Sequence, residues 1–120
     1  MKLVSNLVLG LNRAALAEGL AFAEVLGLDA DATLQVLQGS AAYSRQMDTK
    51  GRKMIDRDFA PQAKLSQHLK DVRLMLHAAT AAGLTLTLTD AHRQLLERAE
   101  ALGFGDRDNS AVVEAARGRP

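Results

Sequence analysis

Cysteine is absent from this chain, so disulfides, thiolate chemistry and cysteine zinc sites are excluded, and a reducing cytoplasm is the expected compartment. Tryptophan is absent too, and aromatics total 3%. Charge of one sign is missing: 15 basic residues face 14 acidic ones for a net charge of +1, which provides no field for nucleic acid or an anionic membrane. A membrane span needs about 20 nearly uncharged residues, and Arg13, Glu18 and Glu24 interrupt the first apolar stretch. No small-residue cleavage site marks a signal peptide, and no internal repeat is evident.

What is present is alanine and leucine. They carry most of a 48% hydrophobic content, and small or unbranched apolar residues favour packed helices over sheets. A chain of 120 residues is expected to form one domain and to bury roughly two-thirds of its unfolded surface. The expected fold is all-α, about six helices around one long N-terminal helix.

Lys2 to Leu26 reads as that long helix, ended by Gly27 in the left-handed cap position, with Gly10 and Gly19 expected at close packing contacts. Asp29 and Asp31 offer N-caps for a short second helix through Leu37, closed by Gly39. A third, charged helix is expected over Ala41 to Ile55, followed by a turn at Arg57-Asp58-Phe59-Ala60-Pro61. The apolar spacing of Leu65, Leu69, Val72, Leu76 and Ala79 predicts a fourth, stopped by Gly83. Leu84 to Leu88 alternates but has no strand to pair with, so an extended connector is expected. Thr89 or Asp90 caps a fifth helix to Leu102, and Asp108-Asn109-Ser110 caps a last one to Ala116. Gly118-Arg119-Pro120 is expected to fray.

The long helix carries one polar stripe: Lys2, Asn6, Arg13 and Glu24 fall within about 40° of one another. Lys2 and Asn6 are four residues apart, one turn, on one face. An amine beside an amide on a buried helix can take a proton from a substrate hydroxyl and hold its oxygen. A lysine of ordinary pKa, about 10.4, is a poor base, and packing against a second domain would lower it towards ~7 to 8. On spacing alone a solvated helix start is the commoner meaning of such a pair. Lys70-Asp71 follows on the fourth helix.

The segment Lys2-Leu3-Val4-Ser5-Asn6-Leu7-Val8-Leu9 resembles the K-x-x-N-N opening of the C-terminal helical domain of the β-hydroxyacid dehydrogenases. This family includes 3-hydroxyisobutyrate dehydrogenase and tartronate semialdehyde (2-hydroxy-3-oxopropionate) reductase. Similar segments follow in order: Gly27-Leu28-Asp29, Met54-Ile55-Asp56-Arg57-Asp58-Phe59, Leu69-Lys70-Asp71-Val72, and Gly103-Phe104-Gly105-Asp106 through Val112. The resemblance covers essentially the whole chain and implies a 6-phosphogluconate dehydrogenase C-terminal domain-like fold. It implies Lys2 as the catalytic general acid/base, Asn6 and Asp71 as substrate-binding residues and Lys70 as a cofactor contact. The implied cofactor is NAD or NADP and the implied substrate a small 3-hydroxy acid. A homo-oligomer is also implied, with no nucleic-acid or membrane partner.

Several positions depart from the family. Ser5 replaces its first asparagine, where 6-phosphogluconate dehydrogenases have histidine, which argues against that branch. Ala63 stands where many members carry phenylalanine, and Thr87 replaces a common proline. Imine reductases usually lack the lysine that Lys2 supplies. The family's N-terminal Rossmann domain, with its glycine-rich fingerprint, is not found in these residues. Gly103-Phe104-Gly105 follows a helix and lacks the third glycine, so it reads as a turn. The isolated chain is therefore expected to be inactive.

Other clusters read as structure. Arg45, Lys50, Arg52, Lys53 and Arg57, interleaved with Asp48, Asp56 and Asp58, predict a solvated helix face. His68, His77 and His92 lack ligand spacing, so no metal is expected. Met47, Met54 and Met75 are expected in the core. The rival to the enzyme reading is a non-catalytic helical dimerisation module built on the same apolar faces.

Overall fold

A proline-free run opens the chain and forms α1, Lys2–Val25, in the computed structural model, which describes residues 1–118. The expected fraying at Arg119 and Pro120 lies outside the described residues. At 1.5 Å per residue α1 is about 36 Å long, close to the longest molecular extent of 43 Å. It touches all five other helices: α2 (Ala30–Gln38), α3 (Arg45–Asp56), α4 (Leu65–Ala81), α5 (Thr87–Ala99) and α6 (Val112–Ala116). No strand occurs among the described residues; one isolated bridge joins Lys64 to Asp108. The fold is all-α, as expected.

The core gathers Leu16 and Leu20 of α1, Met47 and Met54 of α3, Leu65, Leu69, Val72 and Met75 of α4, Leu96 of α5, and Val112 and Val113 of α6. Phe59 packs edge-on against Phe104, ring centroids 5.6 Å apart. The first two turns of α1 are not covered by the other helices. Leu3, Val4, Val8 and Leu9 are exposed, and continuous burial begins near Gly10.

Local stop signals account for most helix ends. Gly27 and Gly83 adopt φ of 77° and 82°. In both, the next residue's N–H reaches back across the last turn, Leu28 to the Ala23 carbonyl and Leu84 to the Ala79 carbonyl. This closes a Schellman cap. Asp29 accepts the Ala32 N–H, as an N-cap should.

Three expected boundaries are corrected. α3 begins at Arg45, not Ala41, because Ser40 takes the Ala42 N–H on its hydroxyl and closes a local turn with Tyr43. The connector is shorter than Leu84–Leu88: α5 starts at Thr87, Thr89 is buried inside it, and Asp90 sits in its positive first turn. Beyond Ala99 the helix widens to a π turn over Glu100–Phe104, broken by Gly103 at φ 100°. Gly19 is a fourth correction, since a Cβ there would meet no atom within 4 Å.

Candidate functional site

Asn6 and Asp71 are brought to one small cavity of about 260 Å³. Its walls come from α1 (Asn6, Leu9, Arg13), from the start of α4 and the residues before it (Ala63, Lys64, Gln67, His68, Asp71), and from Asn109. Gln67 donates to Asp71 across one turn of α4, at 3.4 Å. Lys2 shares the Asn6 face of α1 but is exposed, and Lys70 is exposed beside Asp71. Neither lysine lines the cavity, and neither makes an ion pair among the described residues. Nothing in these residues desolvates Lys2.

A buried ion pair lies next to the cavity wall at Ala63 and Asn109. Lys50 Nζ lies 3.0 Å from Asp108, whose side chain is fully buried. Asp108 also accepts the N–H groups of Gln62, Ala63 and Ser110 and the Ser110 hydroxyl. Burial alone would raise its pKa. The Ser110 bonds, the Gln62 N–H and the Lys50 ammonium outweigh that and hold it well below the usual carboxylate range. Asp108 thereby fixes Ala63 and Asn109 on the cavity wall.

Lys50 alone departs from the solvated reading of the basic cluster, since Arg45, Arg52 and Arg57 and the interleaved Asp48, Asp56 and Asp58 are exposed. Its spacing with Met47, Gly51 and Met54 is that of a buried helical face, and all four are buried. Its carboxylate partner lies 58 residues away, beyond what sequence neighbours can show. Arg52, by contrast, is exposed and pairs with Asp31 and Asp56.

His68 of α4, on the cavity wall, packs against His92 of α5 behind it, ring centroids 5.4 Å apart. Burial pushes the His68 pKa down to about 3, helped by the Arg13 charge and by His92. Burial and Arg13 push His92 down to about 4. Both rings are neutral at pH 7, and the Nε2 of each lacks a hydrogen-bond partner. Among the described residues, no three histidines or carboxylates come together as metal ligands.

The Gly103-Phe104-Gly105 segment is a helix end. Gly103 and Gly105 belong to the π turn and its end, and a Cβ on Gly105 would meet Glu100 Cγ at 3.3 Å.

The whole helical frame matches known proteins. The family described as NAD-binding of NADP-dependent 3-hydroxyisobutyrate dehydrogenase matches residues 1–116. The chain belongs to the β-hydroxyacid dehydrogenase family. It is 36% identical over 114 residues to 2-hydroxy-3-oxopropionate reductase of Escherichia coli, covering 95% of this chain and 39% of that protein. It is 36% identical over 117 residues to the cytokine-like nuclear factor N-PAC of Aedes aegypti, covering 98% of this chain and 21% of that one. The crystal structure of 3-hydroxyisobutyrate dehydrogenase from Salmonella typhimurium superposes with a TM-score of 0.91 at 27% identity, over 94% of this chain and 40% of that one. The chain therefore spans well under half the length of these relatives.

Within this family frame the resemblance had pointed to Asn6 and Asp71, which share the cavity, and to Lys2 and Lys70, which flank it. Arg13, Lys64, Gln67, His68 and Asn109 were not assigned to a site. Only Arg13 carried a signal, its place in the polar stripe of α1. The others arrive by tertiary packing.

No helix among the described residues is long and apolar enough to cross a membrane.

Proposed function

We propose that this chain is the substrate-side, C-terminal domain of an NAD(P)-dependent 3-hydroxy acid dehydrogenase or reductase of the 3-hydroxyisobutyrate or 2-hydroxy-3-oxopropionate type. The observation that carries the reading is the convergence of Asn6 and Asp71, from α1 and α4, on one cavity. NAD or NADP, held by sequence outside these residues with Lys70 at its edge, supplies the hydride acceptor or donor. Lys2 exchanges the proton of the substrate hydroxyl. In oxidation the O–H proton passes to the Lys2 amine as the carbinol C–H leaves as hydride, and reduction reverses both movements. Asn6, one turn along, donates to the substrate oxygen or carboxylate and fixes its distance from Lys2. Asp71 lines the same cavity and orients the bound acid.

Exposed Lys2 needs a dry neighbour to act as a base near neutral pH. Packing of a dinucleotide-binding domain against exposed Leu3 and Val4 would supply it. These 120 residues carry no G-x-G-x-x-G segment, so alone they should turn over no 3-hydroxy acid.

The test joins this chain to a dinucleotide-binding domain of the family and assays short 3-hydroxy acids with both cofactors. Lys2→Ala should lower kcat by roughly 10²- to 10⁴-fold with the fold intact. Unchanged turnover would remove the assignment. It would favour the second reading, a non-catalytic dimerisation module, for which the exposed Phe22, Val25, Leu26 and Leu28 at the far end of α1 speak. A homo-oligomer is part of either proposal, and sedimentation at high concentration tests it.

A further inference from the structure

The cavity wall holds a guanidinium that the proposed chemistry leaves unused. Arg13 stands seven residues beyond Asn6, so the two share a face within about 20° and lie about 10 Å apart along α1. Helical side chains lean towards the N-terminus, which brings the Arg13 head back towards Asn6. Arg13 is 4% exposed. Its one side-chain hydrogen bond among the described residues runs from Nη1 to Gln46 Oε1 at 3.1 Å, whereas a guanidinium has five N–H donors. A buried cation with a neutral partner is costly unless an anion reaches it. Asp108 acts on Arg13 through space, but its own oxygens are taken by Lys50, Ser110, Gln62 and Ala63. Glu24, the other end of the polar stripe, is bound to Arg117 at 2.9 Å.

The same wall carries a second buried group in want of a partner. Asn109 is buried, with no hydrogen bond to its Oδ1. Asp71 is the sole carboxylate lining the cavity, against Arg13 and Lys64. Ala63 narrows the space only by a methyl group. At roughly 30 Å³ per water-sized group, the cavity of about 260 Å³ holds about nine heavy atoms, enough for a short diacid whose hydroxyl end projects towards Lys2, outside the cavity.

We propose that Arg13 binds a second anionic group on the substrate, so that the preferred substrate is a short 3-hydroxy acid, or its carbonyl partner, bearing a carboxylate at its far end. The reacting carbon lies near Lys2 and Asn6, and the distal carboxylate takes the free donors of Arg13. The inference rests on the function proposed above for its kinetic consequence, though not for the binding of the anion itself.

Two experiments test it. In the enzyme joined to its dinucleotide-binding domain, kcat/KM is compared for 3-hydroxyglutarate and 3-hydroxybutyrate, which differ by the distal carboxylate. The diacid should be favoured. Arg13→Met should cut its kcat/KM by between about tenfold and about 100-fold, mainly through KM, and change the monoacid less than threefold, roughly. Arg13→Lys should retain part of the preference. Gln46→Glu, which places a carboxylate against the guanidinium, should abolish it with the fold kept, which covers an Arg13→Met protein that does not fold. Equal losses on both acids, or a wild-type preference for the monoacid, would overturn the proposal.

In the second experiment the 120-residue chain is titrated with glutarate and with butyrate while the Asn109 side-chain amide is followed by NMR. Glutarate should shift it, and Arg13→Met or Gln46→Glu should remove the shift. Binding of glutarate at Arg13 without any turnover would sink the dehydrogenase reading and leave this site standing. Lys2-dependent turnover with no response to glutarate would do the reverse.

Discussion

Gly10 on α1 and His68 on α4 approach so closely that no side chain fits between them. A Cβ at residue 10 would lie 2.8 Å from His68 Cε1 and 3.0 Å from His92 Cε1, and closer still to His68 Nε2. Both rings are buried, so neither can swing away. Gly10→Ala should therefore destabilise the chain by about 1–3 kcal/mol, despite the helix propensity alanine adds. Gly19, on the same helix, meets nothing within 4 Å, and Gly19→Ala should stabilise by about 0.5–1 kcal/mol. Urea unfolding of the two variants checks both signs, and equal effects would mean that Gly10 is not a packing contact.

The same imidazoles make stability depend on pH. Both are neutral in the folded chain, with pKa pushed down to about 3 for His68 and about 4 for His92. In the unfolded chain they take up protons near pH 6.5. The unfolded state thus binds more protons below that pH, and stability falls as pH falls. The slope approaches about 1.4 kcal/mol per pH unit for each ring and is half that at pH 6.5, so the two together lose about 3 kcal/mol between pH 6.5 and 5. Asp108, with its depressed pKa, adds its loss only below about pH 4. Urea midpoints from pH 7 to 5 measure the first window, and His92→Phe should remove about half of its slope. A flat profile would mean the rings are solvated.

The Lys50–Asp108 pair is expected to break asymmetrically. Lys50→Met leaves Asp108 with its Ser110, Gln62 and Ala63 bonds but no ion-pair partner in contact, only the Arg13 charge acting through space. Asp108→Ala removes the acceptor for all of those donors as well as the charge. Breaking one side of a buried pair costs about 3–5 kcal/mol, and Asp108→Ala should be the worse of the two. Thermal unfolding orders them. Because Asp108 also fixes Ala63 and Asn109, its loss should disturb the cavity, read as broadened Asn109 NMR signals.

Where a signal is local, the sequence was readable. Gly27 and Gly83 stop their helices, Asp29 and Asp108 cap theirs, and the spacing of Leu65, Leu69 and Val72 sets the buried face of α4. Gly10 and Gly19 look alike in sequence and differ only in what packs opposite them. Lys50 reads as one more solvated cation until Asp108 arrives from far along the chain. The meeting of Asn6 and Asp71 is tertiary in the same way. Family likeness, not periodicity, pointed to it, and no periodicity could have placed His68 or Asn109 on the same wall.

The end of α3 illustrates the point and yields a last prediction. Arg57 holds φ 53° and ψ 37°, a left-handed conformation in which the Asp58 N–H reaches the Lys53 carbonyl, as at Gly27 and Gly83. No glycine marks this stop, so sequence showed a turn but not its geometry. An L-residue in that conformation costs roughly 1–2 kcal/mol, which glycine would relieve at the expense of a more flexible unfolded chain. The Arg57–Glu114 contact is 3.5 Å long and half-exposed on its arginine side, so its loss costs under about 1 kcal/mol, and Glu114 keeps Arg117 at 2.7 Å. Arg57→Gly should therefore raise stability by about 0.5 kcal/mol, whereas Arg57→Val, β-branched and ill-suited to positive φ, should lower it by about 1–2 kcal/mol. Urea denaturation resolves the two directions. A glycine variant less stable than the parent would show that the Glu114 contact outweighs the backbone strain.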